Sequence, residues 1–318
     1  MKKIIFILFI ISNSYSAFEY QNFTARAIVF NDSYVAISDE SGGSFYNPAG
    51  IAKINNFEIG GTYALLNTGL ELESQNIFCF NSALKIKNIG NFAFNWASLN
   101  IKSLYSENSF VLTYATKITN LFKIKETTIK DMHLGINLKY LGHSYYMKEI
   151  DFDPVFENKN SKYSFTIDTG ILNTFYIENI PFNFGLSIFN ILPSDVGLIE
   201  KESLPLTIRL GVSHYLQHYD FLKFFRKENT ILAFGISYKM ISEMTEYYDI
   251  SLAWENTFFN KIFVFRTGFN LESFNFGLGI NYKFNNLIKN FMLDYSFTFP
   301  FYIKNTNGTH TISTMIKF

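Results

Sequence analysis

One cysteine, Cys79, stands in 318 residues, which excludes an internal disulfide framework and any multi-cysteine metal site. Within a strand-like stretch it reads as a small packed side chain. Catalytic signatures are missing too. There is no His-Glu-x-x-His, no Gly-x-Ser-x-Gly and no phosphate-binding loop, so nothing marks an enzyme or calls for a cofactor. His214 and His218 are four apart, a metal spacing only on a helix, and His214 falls in a strand pattern, so no metal is expected. Charge is scarce at 17% and balanced, 27 Lys and Arg against 27 Asp and Glu. No basic stripe follows phosphates, which excludes nucleic acid. Past residue 17 no apolar run reaches the ~18 residues of a membrane helix.

What the chain does have is aromatic surface. It is 48% hydrophobic and 19% aromatic, with 37 Phe and 20 Tyr, more than one soluble core of this size hides. The apolar residues alternate. Phe274, Phe276, Leu278, Ile280, Tyr282 and Phe284 interleave with Asn275, Gly277, Gly279, Asn281 and Lys283, the period of a strand with one greasy face. Met1 to about Ala17 has the parts of a secretory signal: Lys2-Lys3, an apolar run from Ile4 to Ile11, then small polar residues with cleavage near Ser16 or Ala17. Without the two lysines, 25 basic side chains face 27 acidic ones, a charge near −2. An exported, apolar chain without a spanning helix enters a bilayer only as a closed barrel, so the expected location is a bacterial outer membrane, in contact with its lipid.

Residues 18–56 lack alternation and hold Asp32, Asp39, Glu40, Gly42-Gly43 and the turn Asn47-Pro48-Ala49-Gly50, with Gly50 placed to take a positive φ. They read as a compact non-strand hatch ahead of the barrel. Residues 57–318 then give about fourteen strands of an all-β, transmembrane antiparallel barrel. They fall near 57–65, 76–87, 91–101, 108–118, 131–142, 162–173, 181–190, 205–216, 230–240, 247–256, 261–271, 274–284, 290–300 and 308–318. Phe92, Phe94 and Trp96, or Tyr163, Phe165 and Ile167, form outer faces; Asn137 and Lys139, Thr207 and Arg209, or Ser251 and Glu255, form inner ones. Arg266 shares the parity of Ile262 and Val264, so either its strand is bulged or that face is the inner one. Trp96, Tyr114, Tyr140, Trp254 and Tyr282 suit an interfacial girdle.

An even count puts both barrel ends on one side. Connections there are expected to be short, yet 119–130 and 217–229 are long, and Phe221, Phe224 and Phe225 in the second suit the membrane surface. Eight strands are filled by their own side chains and sixteen leave a water channel. Fourteen leave a lumen that a segment such as 18–56 can stopper.

The stretch Ala25-Arg26-Ala27, Asn31-Asp32-Ser33-Tyr34-Val35-Ala36, Asp39-Glu40 and Phe45-Tyr46-Asn47-Pro48-Ala49-Gly50-Ile51-Ala52 resembles the N-terminal segment of the FadL-type barrels. It is most similar to their PorV/PorQ-like and UPF0164-like branch. Asp168-Thr169-Gly170, Leu204-Pro205 with Arg209-Leu210-Gly211, Arg266-Thr267-Gly268, Asp294-Tyr295 and His310 with Ser313 follow in that family's order. The resemblance implies a fourteen-stranded outer-membrane barrel with the Asn-Pro-Ala turn in a luminal hatch. FadL-type members take up fatty acids and other hydrophobic compounds; PorV-like members serve as receptors or shuttles for secreted or surface proteins. This chain departs in its short outer loops, with no long amphipathic loop to capture a fatty acid.

Within that frame Asn47, Pro48, Ala49 and Gly50 are candidates for hatch docking and gating. Inward Lys139, Arg209 and Lys239 are candidates to hold a solute carboxylate, and Asp168, Asp249, Glu255 and Asp294 to pair with those cations or with the hatch. Gly277-Leu278-Gly279 lacks the third glycine and following helix of a nucleotide loop, and fits close strand or hatch packing. Phe318 is the candidate assembly signal for the barrel assembly machinery. The expected cargo is a hydrophobic small molecule of fatty-acid-like kind, the alternative partner a secreted or surface protein.

Overall fold

The alternating segments form fourteen antiparallel strands in a computed structural model that describes residues 17–18, 23–70, 74–122, 131–146, 160–178, 180–198, 200–216, 230–242, 245–284 and 287–318. Most of the expected signal segment lies outside these residues, as do 123–130 and 217–229 with Phe221, Phe224 and Phe225. The strands are β1 Phe57–Leu66, β2 Gln75–Ile86, β3 Gly90–Ile101, β4 Tyr105–Lys117, β5 His133–Tyr145, β6 Ser161–Ile177, β7 Ile180–Phe189, β8 Leu206–Tyr215, β9 Thr230–Ser242, β10 Thr245–Phe258, β11 Phe263–Phe269, β12 Ser273–Lys283, β13 Asn290–Pro300 and β14 Thr309–Lys317. Each pairs with its neighbour in sequence, and β1 pairs with β14 to close the barrel. Closure leaves no sheet edge. The chain therefore crosses a membrane with every strand hydrogen bond satisfied.

Register follows the hydrophobic pattern. Leu112, Phe165, Leu252 and Leu278 point outward and are exposed, while their neighbours Val111, Thr166, Ser251 and Gly279 point inward. An exterior of this kind is one that lipid covers, which places the barrel in a bacterial outer membrane. Trp96 stacks on Phe110 across β3 and β4 at 6.3 Å, and its indole donates to outward Asn108 at 3.1 Å. Such aromatic and polar pairs stabilise the outer face across strands. Arg266 belongs to the inner face: Val264 and Arg266 are buried, Phe263 and Phe269 exposed, and β11 keeps unbroken register with both neighbours. β6 runs four residues past the expected end, because Phe175 stacks on its partner Phe182 and Thr174 donates to Asn183 at 2.8 Å.

Residues 24–53 fold as a chain of short helical turns inside the lumen: α1 Ala25–Phe30, then 3-10 turns at Asn31–Ala36, Ser41–Phe45 and Pro48–Lys53. The Thr24 hydroxyl accepts from Ala27 N at 3.3 Å and caps α1. The segment touches all fourteen strands: α1 meets β10 to β14, the first 3-10 turn β7 to β10, the second β1 to β3, and the third β3 to β6. Its residues are almost wholly buried, with Ala27, Val29, Phe30, Val35, Ala36 and Ile51 fully so.

A row of inward glycines lets the segment lie so close. Gly135 and Gly170 sit opposite each other on β5 and β6, and Gly185, Gly211 and Gly235 run in register across β7, β8 and β9. A Cβ at Gly135 would strike the Pro48–Ala49 backbone, at Gly170 the Asn47 side chain, and at Gly185 the Val35–Ala36 backbone. Gly277 likewise faces the Val29 side chain, whereas Gly279 makes room for Asp294 and Arg266 of the wall. Gly50 departs from expectation. Positive φ among glycines occurs at Gly69, Gly90 and Gly308, not at Gly50. Gly50 lies within a 3-10 turn, and its missing Cβ admits the Ser38 carbonyl instead.

The glycine row makes a clear prediction. Gly135→Leu should leave the barrel heat-modifiable on gels, because its outer face and pairing are untouched. It should nevertheless expel the third 3-10 turn, at a cost of about 1–3 kcal/mol, and expose residues 24–53 to protease. A wild-type digestion pattern would contradict the docking described.

Candidate functional site

Three sets of polar contacts fix the luminal segment to the wall. The first surrounds Arg26. Its guanidinium donates to Glu255 through Nε at 2.8 Å and Nη2 at 3.1 Å, and through Nη1 to Asp39 at 2.7 Å and Glu40 at 2.8 Å. Glu255 also accepts from Arg266 Nε at 2.6 Å, and Arg266 pairs in turn with Asp294. The chain Arg26–Glu255–Arg266–Asp294 therefore runs from α1 through β10 and β11 to β13. Buried charges persist only when paired and hydrogen-bonded in this way. Burial opposes ionisation of Asp39, but Arg26 prevails and holds its carboxyl below the usual range.

The second set surrounds Asp32. Arg209 Nε donates to it at 2.6 Å and the Ser237 hydroxyl at 2.5 Å. Burial again opposes ionisation, and Arg209 with Ser237 holds the carboxyl below its ordinary value. The third set is neutral. The Asn47 carbonyl oxygen caps the following turn by accepting from Ala49 N at 3.0 Å, with Pro48 at the first helical position. Its amide donates to Val35 O and to Ile171 O of β6, both at 2.9 Å. From the wall, Asn91 donates to Ile51 O and Ile54 O at 2.7 Å, Asn95 to Ser44 Oγ and Asn137 to Ser44 O at 2.9 Å.

Of the expected luminal residues, Arg209, Glu255 and Asp294 belong to these sets, and Lys139, Asp168, Lys239 and Asp249 are held elsewhere. Lys139 donates to Asp168 at 2.8 Å and Asn190 at 2.6 Å, and its Nζ lies 5.3 Å from the Phe189 ring centre. Arg209 covers the same ring at 4.8 Å, so Lys139, Asp168 and Arg209 come together. Asp168 also accepts from Asn137 and from Asn190 N at 2.9 Å. Lys239 is half-buried against Tyr247 at 5.8 Å. Asp249 stands apart and holds the β11–β12 turn, accepting from Asn270 at 2.8 Å and Leu271 N at 3.0 Å. His214 Nδ1 faces Pro181 O at 2.9 Å and its ring stacks on Phe182; His218 lies outside the described residues. Phe318 sits at the closing seam, where its N–H donates to Phe57 O at 2.9 Å. Asn91 and Asn95 were not singled out from sequence, although alternation on β3 puts both on the inner face beside Ala93.

Toward the rim opposite the strand ends Phe57 and Lys317 there is a small pocket. Phe18, Phe23, Phe45, Phe189, Leu141 and Leu204 form its apolar walls, with the Lys139–Asp168 pair at one side. Its free volume is about 30 Å³, room for roughly one water. Phe18 closes one side of it. Its N–H donates to Glu107 at 3.0 Å, and its ring packs on Leu141, Val196 and Leu204 and edge-on to His143. Val196 and Leu204 belong to the β7–β8 connection, which folds inward and is tied by Val196 O to His143 Nε2 at 2.8 Å.

No family model matches the chain, and no curated protein sequence does. Solved structures match along nearly its whole length. The fold is shared with FadL-type channels. The Ralstonia pickettii toluene transporter TbuX superposes with a TM-score of 0.57 at 10% identity, over 95% of this chain and all of TbuX. A Pseudomonas aeruginosa FadL homologue gives 0.55 at 10% identity, over 93% and 98%. A deltaS2 mutant of the monoaromatic hydrocarbon channel TodX gives 0.57 at 8% identity, over 94% and 97%. These neighbours are hydrocarbon transporters and a FadL homologue, and the PorV/PorQ-like branch is not among them.

Two predictions test the anchoring. Glu255→Ala leaves Arg26 and Arg266 buried without their shared acid and should cost about 3–5 kcal/mol. Lys162→Ala removes a half-exposed pair with Asp195 at 2.7 Å and should cost at most about 1 kcal/mol. Denaturant midpoints in detergent measure both, and equal effects would refute the ranking. Asn47→Asp keeps the cap acceptor and loses both donors, so about 1–3 kcal/mol should go for each carbonyl left unpaired. The same titration reads it out.

Proposed function

We propose that the chain is an outer-membrane channel that takes up a hydrophobic small molecule past a hatch formed by residues 18–56. The observation that carries this reading is the aromatic pocket beside Phe18, walled on its other side by a segment that fills a fourteen-stranded lumen. The fold shared with toluene and monoaromatic hydrocarbon channels supports it. In this reading the cargo enters from the rim of the longer loops and trades water for the apolar pocket, at ~25 cal/mol per Å² buried. It passes once the hatch shifts, without cofactor or energy coupling. The Asn47–Gly50 turn acts as the hinge side of the hatch, and Arg209 and Glu255, bonded to Asp32 and Arg26, act as its struts. Phe318 is the recognition residue for barrel assembly.

A lumen crossed by contacts to every strand also suits a second reading, a PorV-like surface receptor that conducts nothing. Uptake decides between them. Cells producing the protein should accumulate labelled toluene or alkane faster than control cells, and Phe18→Ala should raise that rate several-fold by opening the pocket. Rates equal to the control for both proteins would sink the channel reading and leave the receptor.

A further inference from the structure

Resting on the channel reading, the structure assigns a charge class to the cargo: we infer that it is an uncharged hydrophobic molecule, and that carboxylates such as fatty-acid anions are rejected. Two independent observations carry this. The first is the state of the luminal cations. A pocket that accepts a buried carboxylate must offer it a positive partner, since an ionised acid without one is expelled from apolar surroundings. Lys139, the cation that lines the pocket, already spends its ammonium on Asp168 and Asn190 and on the face of Phe189. Arg209, beneath the same ring, is bonded to Asp32. An incoming carboxylate would have to evict the buried Asp168 from one and the partly buried Asp32 from the other. A neutral ring or chain needs only to displace Phe18.

The second observation is the sign of the entrance. The β7–β8 connection, which folds inward over the pocket, carries Asp195, Glu200 and Glu202 against Lys201. Glu200 and Glu202 on the β7–β8 connection are exposed, and Glu107 stands at the Phe18 amide. An anion approaching this mouth meets its own sign at distances where screening is incomplete. Like-charge juxtaposition is how a site rejects a ligand whose apolar portion it would otherwise accept.

Decan-1-ol and decanoate share a chain and differ in charge at pH 7.5. Binding of each to the purified full-length barrel in neutral detergent, followed by tryptophan and tyrosine fluorescence, should favour the alcohol by about tenfold or more. Asp168→Asn leaves Lys139 without its acid and should pull the alcohol-to-acid ratio toward one. Glu200→Lys with Glu202→Lys, on exposed positions that do not threaten folding, should speed decanoate association at low salt and not at high salt. Decanoate bound as tightly as decanol by the wild-type protein, or a ratio indifferent to both variants, would overturn the assignment. If neither ligand binds, the channel reading itself falls and this assignment falls with it.

Discussion

A fourteen-stranded barrel encloses more space than its inward side chains fill, and that surplus governs the rest of this molecule. Polar groups facing such a lumen need water or a partner. Here the partner is the chain's own N-terminal segment. It buries an interior of Asn, Ser, Thr and paired charges, while many large apolar residues of the strands face outward. The usual arrangement of inside and outside is inverted for the wall and restored for the hatch. Phe30, Tyr34, Ile37 and Tyr46 cluster with Ile77, Cys79 and Val111 from the strands.

Two modes of attachment overlap around the circumference, since the Asp32–Arg209 pair reaches β8 within the glycine arc and Gly277 on β12 faces Val29 within the charged one. From β5 to β9 the wall gives up side chains, and glycine lets backbone lie against backbone. From β10 to β13 it supplies charge, in the chain that leads from Arg26 to Asp294. Contacts of the first kind depend on shape and lose their value steeply with small displacements. Those of the second kind depend on mutual neutralisation, and removing one partner costs more than the pair contributes. A segment held by both has one seat in the lumen. The short 3-10 turns follow from this, because no helix of ordinary length could meet fourteen strands in thirty residues.

The strands were legible because a membrane barrel writes a two-residue period into every segment, and lipid outside with hatch inside keeps the two faces distinct. Even Arg266, with its parity read as ambiguous, resolved to the inner face without a bulge. The hatch was legible only as an absence of period. Its partners were not, since Asp32 and Arg209 are joined by a fold in which 177 residues separate them, and no local spacing records such a contact. Gly50 shows the same limit. A glycine after Asn-Pro suggests a turn with positive φ, while the actual demand is set by Ser38, twelve residues back in a segment without periodicity. Phe18 carried no signal at all, because one aromatic residue among 37 phenylalanines is conspicuous only once its ring is seen closing the pocket.

The charged candidates illustrate what a charge inside a barrel means. Lys139, Arg209, Asp168 and Glu255 are polar residues on an apolar-patterned chain, and that contrast draws attention to them as ligand contacts. Yet a permanently open cation in a lumen this crowded would be costly before any solute arrived. The fold meets that cost by supplying acids from its own chain. An inward charge in such a sequence therefore reports first on what already occupies the lumen. It bears on the cargo only indirectly, through the partners it has left over, and around this pocket the cations are engaged. The residues that most resemble a binding site are thus the ones already paired with one another or with the luminal segment, and the aromatic rings beside them are what lines the pocket.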